Sequence, residues 1–395
     1  MKIYYLFTTF PVLTETFLQR EIRSLLKGKA DIKLFSIWKG DELFDKETPI
    51  EKFSLWNLIK LFIWLPYWAI KKPNTLSDIL VDLWNKPVPY FQNWQENFLG
   101  LGFAIINAHR FKRESPDRLH APWATMPSAA ALLLSRLTGI PYSMEVHAYD
   151  LFREGGDWLL SQKLKNARII RTSNITAQNR LLEHDVDPIK IHLIRRGLDH
   201  LTTYRPPSFN NGILRIISVG RLHPKKGYPF QLSVYKALKE AGINFHASII
   251  GGGDLHQSLQ LEIDRLKLTK HVTLHGKMEH DDVQTAYTKA NLFLFTGEVS
   301  KDGNRDGFPN VVGEAMAHGI PILTTNIADA GEVITDGING FKGPFNDSQA
   351  WLNKIEWLLE NESKVQETSA VARKWIEESF SVNKNTNRLR ILLEA

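Results

Sequence analysis

The stretch DGFPNVVGEAMAHGIPI, Asp306–Ile322, decides how this chain is read. Two carboxylates, Asp306 and Glu314, bracket a Gly-Phe-Pro-Asn turn. A helix is expected from about Asn310, since VVGEAMAH is helix-compatible and Gly319 stops it before Pro321. Glu314 then lies one turn inside, on the same face as Asn310. Asp306 is held outside, in the loop EVSKDGNRDGFPN. The free N–H groups of the helix start point at whatever sits between the two acids. A ligand with phosphates at the N–H groups and hydroxyls on either side uses all three features, because ionised carboxylates only accept hydrogen bonds. The plainer reading is that both acids complement the helix dipole.

Two βα units upstream, SVGRLHPKKGYPFQLSVYKAL reads strand, loop, helix. Gly220 ends the strand, Arg221 and Lys226 sit in the loop, and a helix starts near Tyr228 or Pro229. Such a loop suits phosphate, which free N–H groups and the helix dipole both face. Arg can fork onto two oxygens, and Lys brings a compact charge. Alone, this spacing reads as a solvated loop; beside Asp306 and Glu314 it argues for a ligand. The cluster Gly251-Gly252-Gly253 does not make a dinucleotide fingerprint. It is read as close backbone approach of a ligand or as a tight turn.

Outward from these segments, short β-branched runs alternate with helical patterns: KIYYLFTTF, DIKLFSIW, RIIRTS, KIHLIRRG, LRIISVG, FHASIIGGG, HVTLHG, ANLFLFTG and IPILTT. After the first run, Phe17, Ile22, Leu25 and Leu26 share an apolar helix face. The alternation predicts a parallel, doubly wound α/β architecture. A Pro- and Asn-rich break at residues 202–212 and the chain's 395 residues predict two Rossmann-like domains of similar size. The domains are read as residues 1–203, with an aromatic-rich insertion at about 45–110, and 204–375. A last helix, 376–395, is expected to return to the first domain.

Composition is that of a soluble globular protein, with a net charge of +6 that suits an anionic ligand or membrane surface. There are no cysteines, so disulfides and thiolate metal sites are excluded. The histidines are read as holding no His-x-x-x-His or similar ligand cluster, so no protein-built zinc site is expected, and no Asp-x-Asp is read as placed for metal. The N-terminus is read as a first buried strand, not a signal peptide. Residues 53–70, FSLWNLIKLFIWLPYWAI, are apolar and flanked by Lys52, Lys71 and Lys72, yet shorter than the ~20 residues of a spanning helix. They are either an inserted helical pair packed on the first domain or an interfacial segment on anionic lipid. Eight of the 11 tryptophans lie in the first 160 residues, which assigns the aromatic bias to this half.

The opening segment resembles the E-x7-E hallmark of the family 4 retaining glycosyltransferases. Gly220–Gly227 is similar to that family's G-R-L-x-x-x-K-G, and Val272–Gly276 to its V-x-L-x-G strand. FPVLTETFLQREI and the segment from Leu119 to Phe152, with His147-x-x-Asp150, resemble the exopolysaccharide branch typified by colanic-acid and amylovoran transferases. The resemblance implies a GT-B fold, two Rossmann-like doubly wound domains facing a cleft. It implies a hexosyltransferase acting from a nucleotide diphosphate sugar with retention, without cofactor or metal. It implies that Gly220, Arg221 and Lys226 meet the diphosphate with Gly253 nearby. Glu314 would hold the ribose, and Lys277 and Met278 would meet the base. Asp306, with the backbone of Gly307, Phe308, Asn310 and Val311, would meet the transferred sugar. His147 would approach that sugar. Thr14, Glu15, Thr16, His120 and Asp150 would serve the acceptor or its loops.

Three departures stand out. Asp306 replaces the usual Glu and is one methylene shorter. Thr14, Glu15 and Thr16 replace a glycine pair. NIADAGEVITDG keeps only Gly331 and Glu332 of a Gly-Gly-x-x-E pattern. The implied acceptor is a saccharide, lipid-linked if residues 53–70 touch membrane. No nucleic acid is implied, and the setting is cytoplasmic or peripheral on the inner face of the membrane. A nucleotide-sugar epimerase, a phosphorylase and a non-catalytic partner subunit are the other readings.

Overall fold

The computed structural model describes residues 1–12, 15–38, 44, 48–199, 201–209, 212–326 and 330–395. They form two compact units, Met1–Arg196 with Val382–Ala395, and Gly197–Ser381. The chain therefore enters the second unit before the Pro-rich stretch at 202–212.

The first unit is built on seven parallel strands: β1 Lys2–Phe7, β2 Asp31–Ser36, β3 Ile50–Lys52, β4 Arg118–Ala121, β5 Tyr142–Glu145, β6 Ile169–Thr172 and β7 Ile191–Leu193. Their order is β3-β2-β1-β4-β5-β6-β7. Strand β1, KIYYLF, reads as a nearly continuous apolar run, whereas β4, RLHA, and β5, YSME, carry polar side chains that are buried all the same. Helix α1, Thr16–Lys27, buries Leu18, Ile22 and Leu25; Phe17 and Leu26 are only partly covered. The helix Val382–Glu394 sends Leu389 and Leu393 into the same core as Ile3, Tyr5 and Leu18.

The aromatic insertion is more than a helical pair. It forms a 3-10 turn, Leu55–Lys60, then α2 Leu61–Lys71, α3 Pro73–Trp84 and α4 Phe91–Glu114. Helix α4 packs on α5, Met126–Thr138, along a seam of small residues. A Cβ on Gly100 would sit 2.4 Å from the Met126 carbonyl oxygen, so only glycine allows this approach.

The second unit has six parallel strands: β8 Leu214–Val219, β9 Phe245–Ile250, β10 Val272–Gly276, β11 Leu292–Phe295, β12 Ile322–Thr325 and β13 Phe341–Gly343, in the order β10-β9-β8-β11-β12-β13. In both sheets the winding reverses beside the first strand, between β1 and β4 and between β8 and β11. Doubly wound sheets take ligands at the carboxyl ends of the strands flanking such a reversal.

Beneath the loops that follow β4 and β5 lies a buried polar scaffold. Lys163 Nζ donates to the carbonyls of Ala124 (2.7 Å) and Thr125 (3.0 Å) and pairs with Asp157 at 2.5 Å. Asn93 and Asn97 of α4 donate to the other Asp157 oxygen. Nearby, burial pushes Asp150 up to about 8 and Glu96 up to about 7. Asp150 so held keeps its proton in the folded chain at pH values where the unfolded chain has lost it. Its contribution to stability is therefore full below about pH 4 and is lost as pH rises through 8.

Two outcomes follow. Gly100→Val is expected to cost about 1–3 kcal/mol by overpacking the α4–α5 seam, read as a lower urea midpoint at unchanged slope. Asp150→Asn is expected to gain roughly 2–4 kcal/mol relative to the wild type between pH 5 and pH 8, read by urea melts at both values.

Candidate functional site

In the second unit, the loops after β8 and β11 meet at the sheet's reversal. After Gly220 the chain runs through Arg221, a 3-10 turn at Pro224–Lys226, and Gly227 into the helix Tyr228–Glu240. Gly227 is left-handed (φ 67°), and a Cβ there would lie 1.9 Å from the Thr296 carbonyl oxygen. Thr296 Oγ1 donates in turn to the carbonyls of Lys226 and Gly227 (both 3.1 Å). The end of β11 is thus pinned against the basic loop.

Asp306 crosses to the same loop. Its carboxylate pairs with Lys226 Nζ at 2.6 Å and with Lys225 Nζ at 3.0 Å, all three side chains being largely buried. Burial opposes its charge, yet the two ammonium groups hold its pKa below the ordinary aspartate value. Lys225 was not among the residues singled out from the sequence. A lysine inside a Pro-Lys-Lys-Gly turn reads as solvated, and only the fold shows that both lysines turn inward. Arg221 is exposed at the mouth of the loop.

The helix Asn310–His318 starts as expected, with Pro309 at its N-cap and Gly319 (φ 81°) ending it. The backbone N–H groups of Gly307, Phe308, Asn310 and Val311 bond to no other described residue. They are free donors that follow directly on Asp306 in the chain. The Phe308 ring packs edge-on against Trp375 (5.6 Å) and Phe380 (5.2 Å), so this residue offers its backbone and not its side chain. Glu314 lies one turn in, half-buried, with Tyr287 Oη donating to it at 3.4 Å. The Val311 carbonyl accepts from the same hydroxyl at 3.3 Å.

The glycine cluster after β9 has a different reason from the one expected. Gly251 (φ 146°) would place a Cβ 2.0 Å from the Gly220 carbonyl oxygen, and Gly253 would place one 2.5 Å from that of Leu222. The close approach is by the neighbouring loop of the same unit. Leu222 N–H donates to the Gly252 carbonyl (2.9 Å) and Gly251 N–H to that of Gly276 (2.8 Å), which zips three strand-end loops together. Lys277 follows, exposed, with its stem over Gly252, and Met278 packs into the core. A separate cavity of about 450 Å³, lined in part by Arg205, Arg215, Lys289 and His318, contains none of the expected site residues.

In the first unit, His147 opens a five-residue helix after β5. Its N–H donates to Asp150 Oδ2 at 2.9 Å, so Asp150 supports the loop from within. Its Nε2 lies 3.0 Å from Arg196 and 3.1 Å from the Pro122 carbonyl. Burial pushes the imidazole below its ordinary value, against the pull of Glu145, and so favours the neutral ring. His120 is fully buried on β4, with Nδ1 at 2.8 Å from Ser143 and Nε2 at 3.3 Å from Glu145. Both its ring nitrogens are therefore engaged inside the sheet and not presented at a surface. Glu15 precedes α1 and Thr16 begins it; Thr14 lies outside the described residues.

Sequence reasoning missed the network that carries these histidines. Arg171 Nη1 donates to Glu21 and to Glu145, each at 2.6 Å. Arg196 donates to Glu21 at 2.9 Å and to the second Glu145 oxygen. Burial opposes the Glu145 charge, but Arg171 and Arg196 hold it well below the ordinary glutamate value. Two further patterns have structural explanations. Contrary to the reading from sequence, His271 and His275 do stand in His-x3-His spacing, the first just before strand β10 and the second within it; His271 stacks on Phe245 and His275 contacts Ser248 at 3.2 Å. Asp187 of Asp185-Val-Asp187 caps the turn before β7, and Asp185 pairs with Lys165.

A sequence profile of the family described as glycosyl transferases group 1 matches residues 204–375. The amylovoran biosynthesis glycosyltransferase AmsK of Erwinia amylovora is 25% identical over 427 aligned positions, covering 100% of this chain and 99% of that protein. A protein of Escherichia coli K12 designated a colanic acid biosynthesis glycosyltransferase, WcaL, is 29% identical over 209 positions, 52% of this chain and 51% of its own. In three dimensions, HepE of Anabaena in complex with UDP superposes with a TM-score of 0.74 at 16% identity, covering 100% of both chains. That likeness establishes the fold. Residues 204–375 are thus a glycosyl transferases group 1 domain, within a chain of two Rossmann-like units of GT-B fold.

Proposed function

We propose that the chain is a retaining glycosyltransferase. It moves a hexosyl unit from a nucleotide diphosphate sugar to a saccharide acceptor, lipid-linked, in the assembly of a bacterial surface or exopolysaccharide. The observation that carries this reading is the run of four free N–H groups at Gly307, Phe308, Asn310 and Val311 following Asp306, which pairs with Lys225 and Lys226. The names of AmsK and WcaL, and the UDP bound to HepE, support the donor and pathway class.

In this reading Arg221, Lys225 and Lys226 meet the diphosphate. Glu314 takes the ribose hydroxyls and Asp306 the hydroxyls of the sugar. The backbone at Lys277 and Met278 borders the base, and the acceptor is assigned to the first unit. The bond from the anomeric carbon to the phosphate oxygen breaks, and a new bond to the acceptor oxygen forms on the same face. The acceptor's proton passes to the departing phosphate. The developing charge of the leaving group falls where cations and free N–H groups are already oriented, which lowers the barrier without reorganisation. Those groups supply the charge compensation without calling on a metal.

Asp306 has a double part. It neutralises the two lysines in the free protein and must share them when a diphosphate arrives. Being shorter than glutamate, it reaches the lysines while standing back from the sugar.

Arg221→Ala is expected to weaken UDP binding by about 1.5–3 kcal/mol in calorimetry, the loss of a charged hydrogen bond. Unaltered affinity would remove Arg221 from the site. Asp306→Asn frees Lys225 and Lys226, so UDP should bind more tightly while sugar transfer slows; equal affinity in both proteins would refute the shared-lysine account. Product analysis by NMR should show the donor's anomeric configuration kept, with turnover persisting in EDTA.

A further inference from the structure

The helical module between β3 and β4 leaves an unusual surface uncovered. Helix α2, LFIWLPYWAIK, is apolar all round, a pattern normally found only in fully buried helices. Yet Trp68 is its one buried residue. Trp68 Nε1 donates to the Ile105 carbonyl of α4 at 3.1 Å, and Trp64 stacks on His109 of the same helix, which fixes the inner side. Apart from Tyr67 and the terminal Lys71, the exposed residues of α2 are apolar. Phe62 is 85% exposed, Ile63 69% and Ile70 80%, and in the preceding turn Trp56 is 89% exposed and Ile59 68%. The spacing 56, 59, 63, 66, 70 runs as one stripe from the 3-10 turn along α2. Helix α3, which packs on α2, adds Leu80 and Trp84, the latter 89% exposed, and the start of α4 adds Phe91.

Charge decides what covers this face. From Lys52 to Ser77 the chain has no acidic residue, while Lys52, Lys60, Lys71 and Lys72 are all exposed. The acids nearby are Asp78 and Asp82 of α3, the latter accepting from Gln162, and Glu51, which pairs with Lys33 and Arg110. Protein–protein interfaces are depleted in lysine. Exposed Trp and Phe rings framed by lysines instead match the headgroup layer of a bilayer, where rings sit at the apolar boundary and ammonium groups meet anionic phosphates. Eleven residues of helix span about 16 Å, far short of a hydrocarbon core. Among the described residues, no helix is long and apolar enough to cross a membrane.

We propose that the outer face of this module, centred on Trp56, Ile59, Phe62, Ile63, Ile70 and Trp84, is a docking surface that lies in the headgroup layer of an anionic membrane. The stripe enters the acyl boundary, and the lysines hold it there by attraction to lipid phosphates. The inference rests on the proposed lipid-linked acceptor for its purpose, though not for its geometry. Docking by this face brings the first unit to the surface where such an acceptor is held.

Sedimentation with vesicles of phosphatidylcholine alone, or mixed with phosphatidylglycerol, tests the surface. The wild type should bind the mixed vesicles, and added salt should weaken that binding. Lys71→Ala and Lys72→Ala should each weaken it roughly fivefold. The pair Phe62→Ser with Ile63→Ser should weaken it at least about tenfold. UDP calorimetry on the same variants should match the wild type, which shows them folded. Equal sedimentation with and without phosphatidylglycerol, or none at all, overturns the proposal. So does a concentration-dependent dimer that these substitutions abolish while vesicle binding survives. A wild type that binds vesicles but does not transfer sugar would count against the transferase reading alone.

Discussion

Asp306 joined to Lys225 and Lys226 is the interaction on which the second unit's strand-end loops depend. Without the carboxylate, two largely buried ammonium groups would sit side by side in one short turn. With it, the loop after β11 is drawn onto the loop after β8, just ahead of the helix that starts at Asn310. The Thr296 hydroxyl and the missing Cβ of Gly227 complete the clasp. Breaking a buried pair by deleting one partner commonly costs about 3–5 kcal/mol, because the survivor's charge is stranded. In the proposed function a diphosphate relieves that cost by taking the carboxylate's place beside the lysines, and the clasp is then an electrostatic placeholder as well as a tether.

The first unit solves a similar problem by other means. Its loops after β4 and β5 rest on buried side chains whose charges balance internally. Glu21 and Glu145 face Arg171 and Arg196, and Asp157 faces Lys163. Arg171 and Arg196 each bond both carboxylates, which is how buried charge is tolerated, although Glu21 Oε1 and Arg196 Nε find no hydrogen-bond partner among the described residues. His147 sits at the rim of one such network and takes its orientation from it. It is held neutral by burial and placed by the Pro122 carbonyl and the Arg196 guanidinium.

The fold was legible because its signals are local. A parallel sheet shows as short β-branched runs, and a helix start at Asn310 shows as Pro-Asn followed by small residues and a closing Gly319. Arg221 with Lys226, and Asp306 with Glu314, stood out through two separate spacings, and the fold brings Lys226 and Asp306 together. Lys225 was not, because the direction of a side chain in a 3-10 turn is set by what the turn packs against. The Glu21–Glu145–Arg171–Arg196 network was illegible for a deeper reason. Its members come from one helix, two strands and the boundary with the second unit, and no periodicity links positions so far apart. The glycines after β9 showed only that something approaches closely; that the visitor is the Gly220–Leu222 backbone is a tertiary fact. Along Phe53–Ile70 the apolar character, interrupted by Asn57, Lys60 and Pro66, announced something unusual, yet gave no hint of which side faces inward. Trp68 and Phe62 look alike in sequence and have opposite environments in the fold.

The return of the chain at Val382 bears on how the protein is made. Leu389 and Leu393 are buried against Ile3, Tyr5 and Leu18, and Asn385 donates to the Arg196 carbonyl at the exit from the first unit. A ribosome delivers these residues only after the whole of Gly197–Ser381 has emerged. The second unit can thus complete its own core while the first still lacks one wall. Through that interval, the apolar flank of α1 waits open. Nascent chains folding unit by unit expose surface in this way and lean on chaperones while they do so. Here the waiting time is set by the length of the intervening domain, and the last helix acts as the latch that ends it.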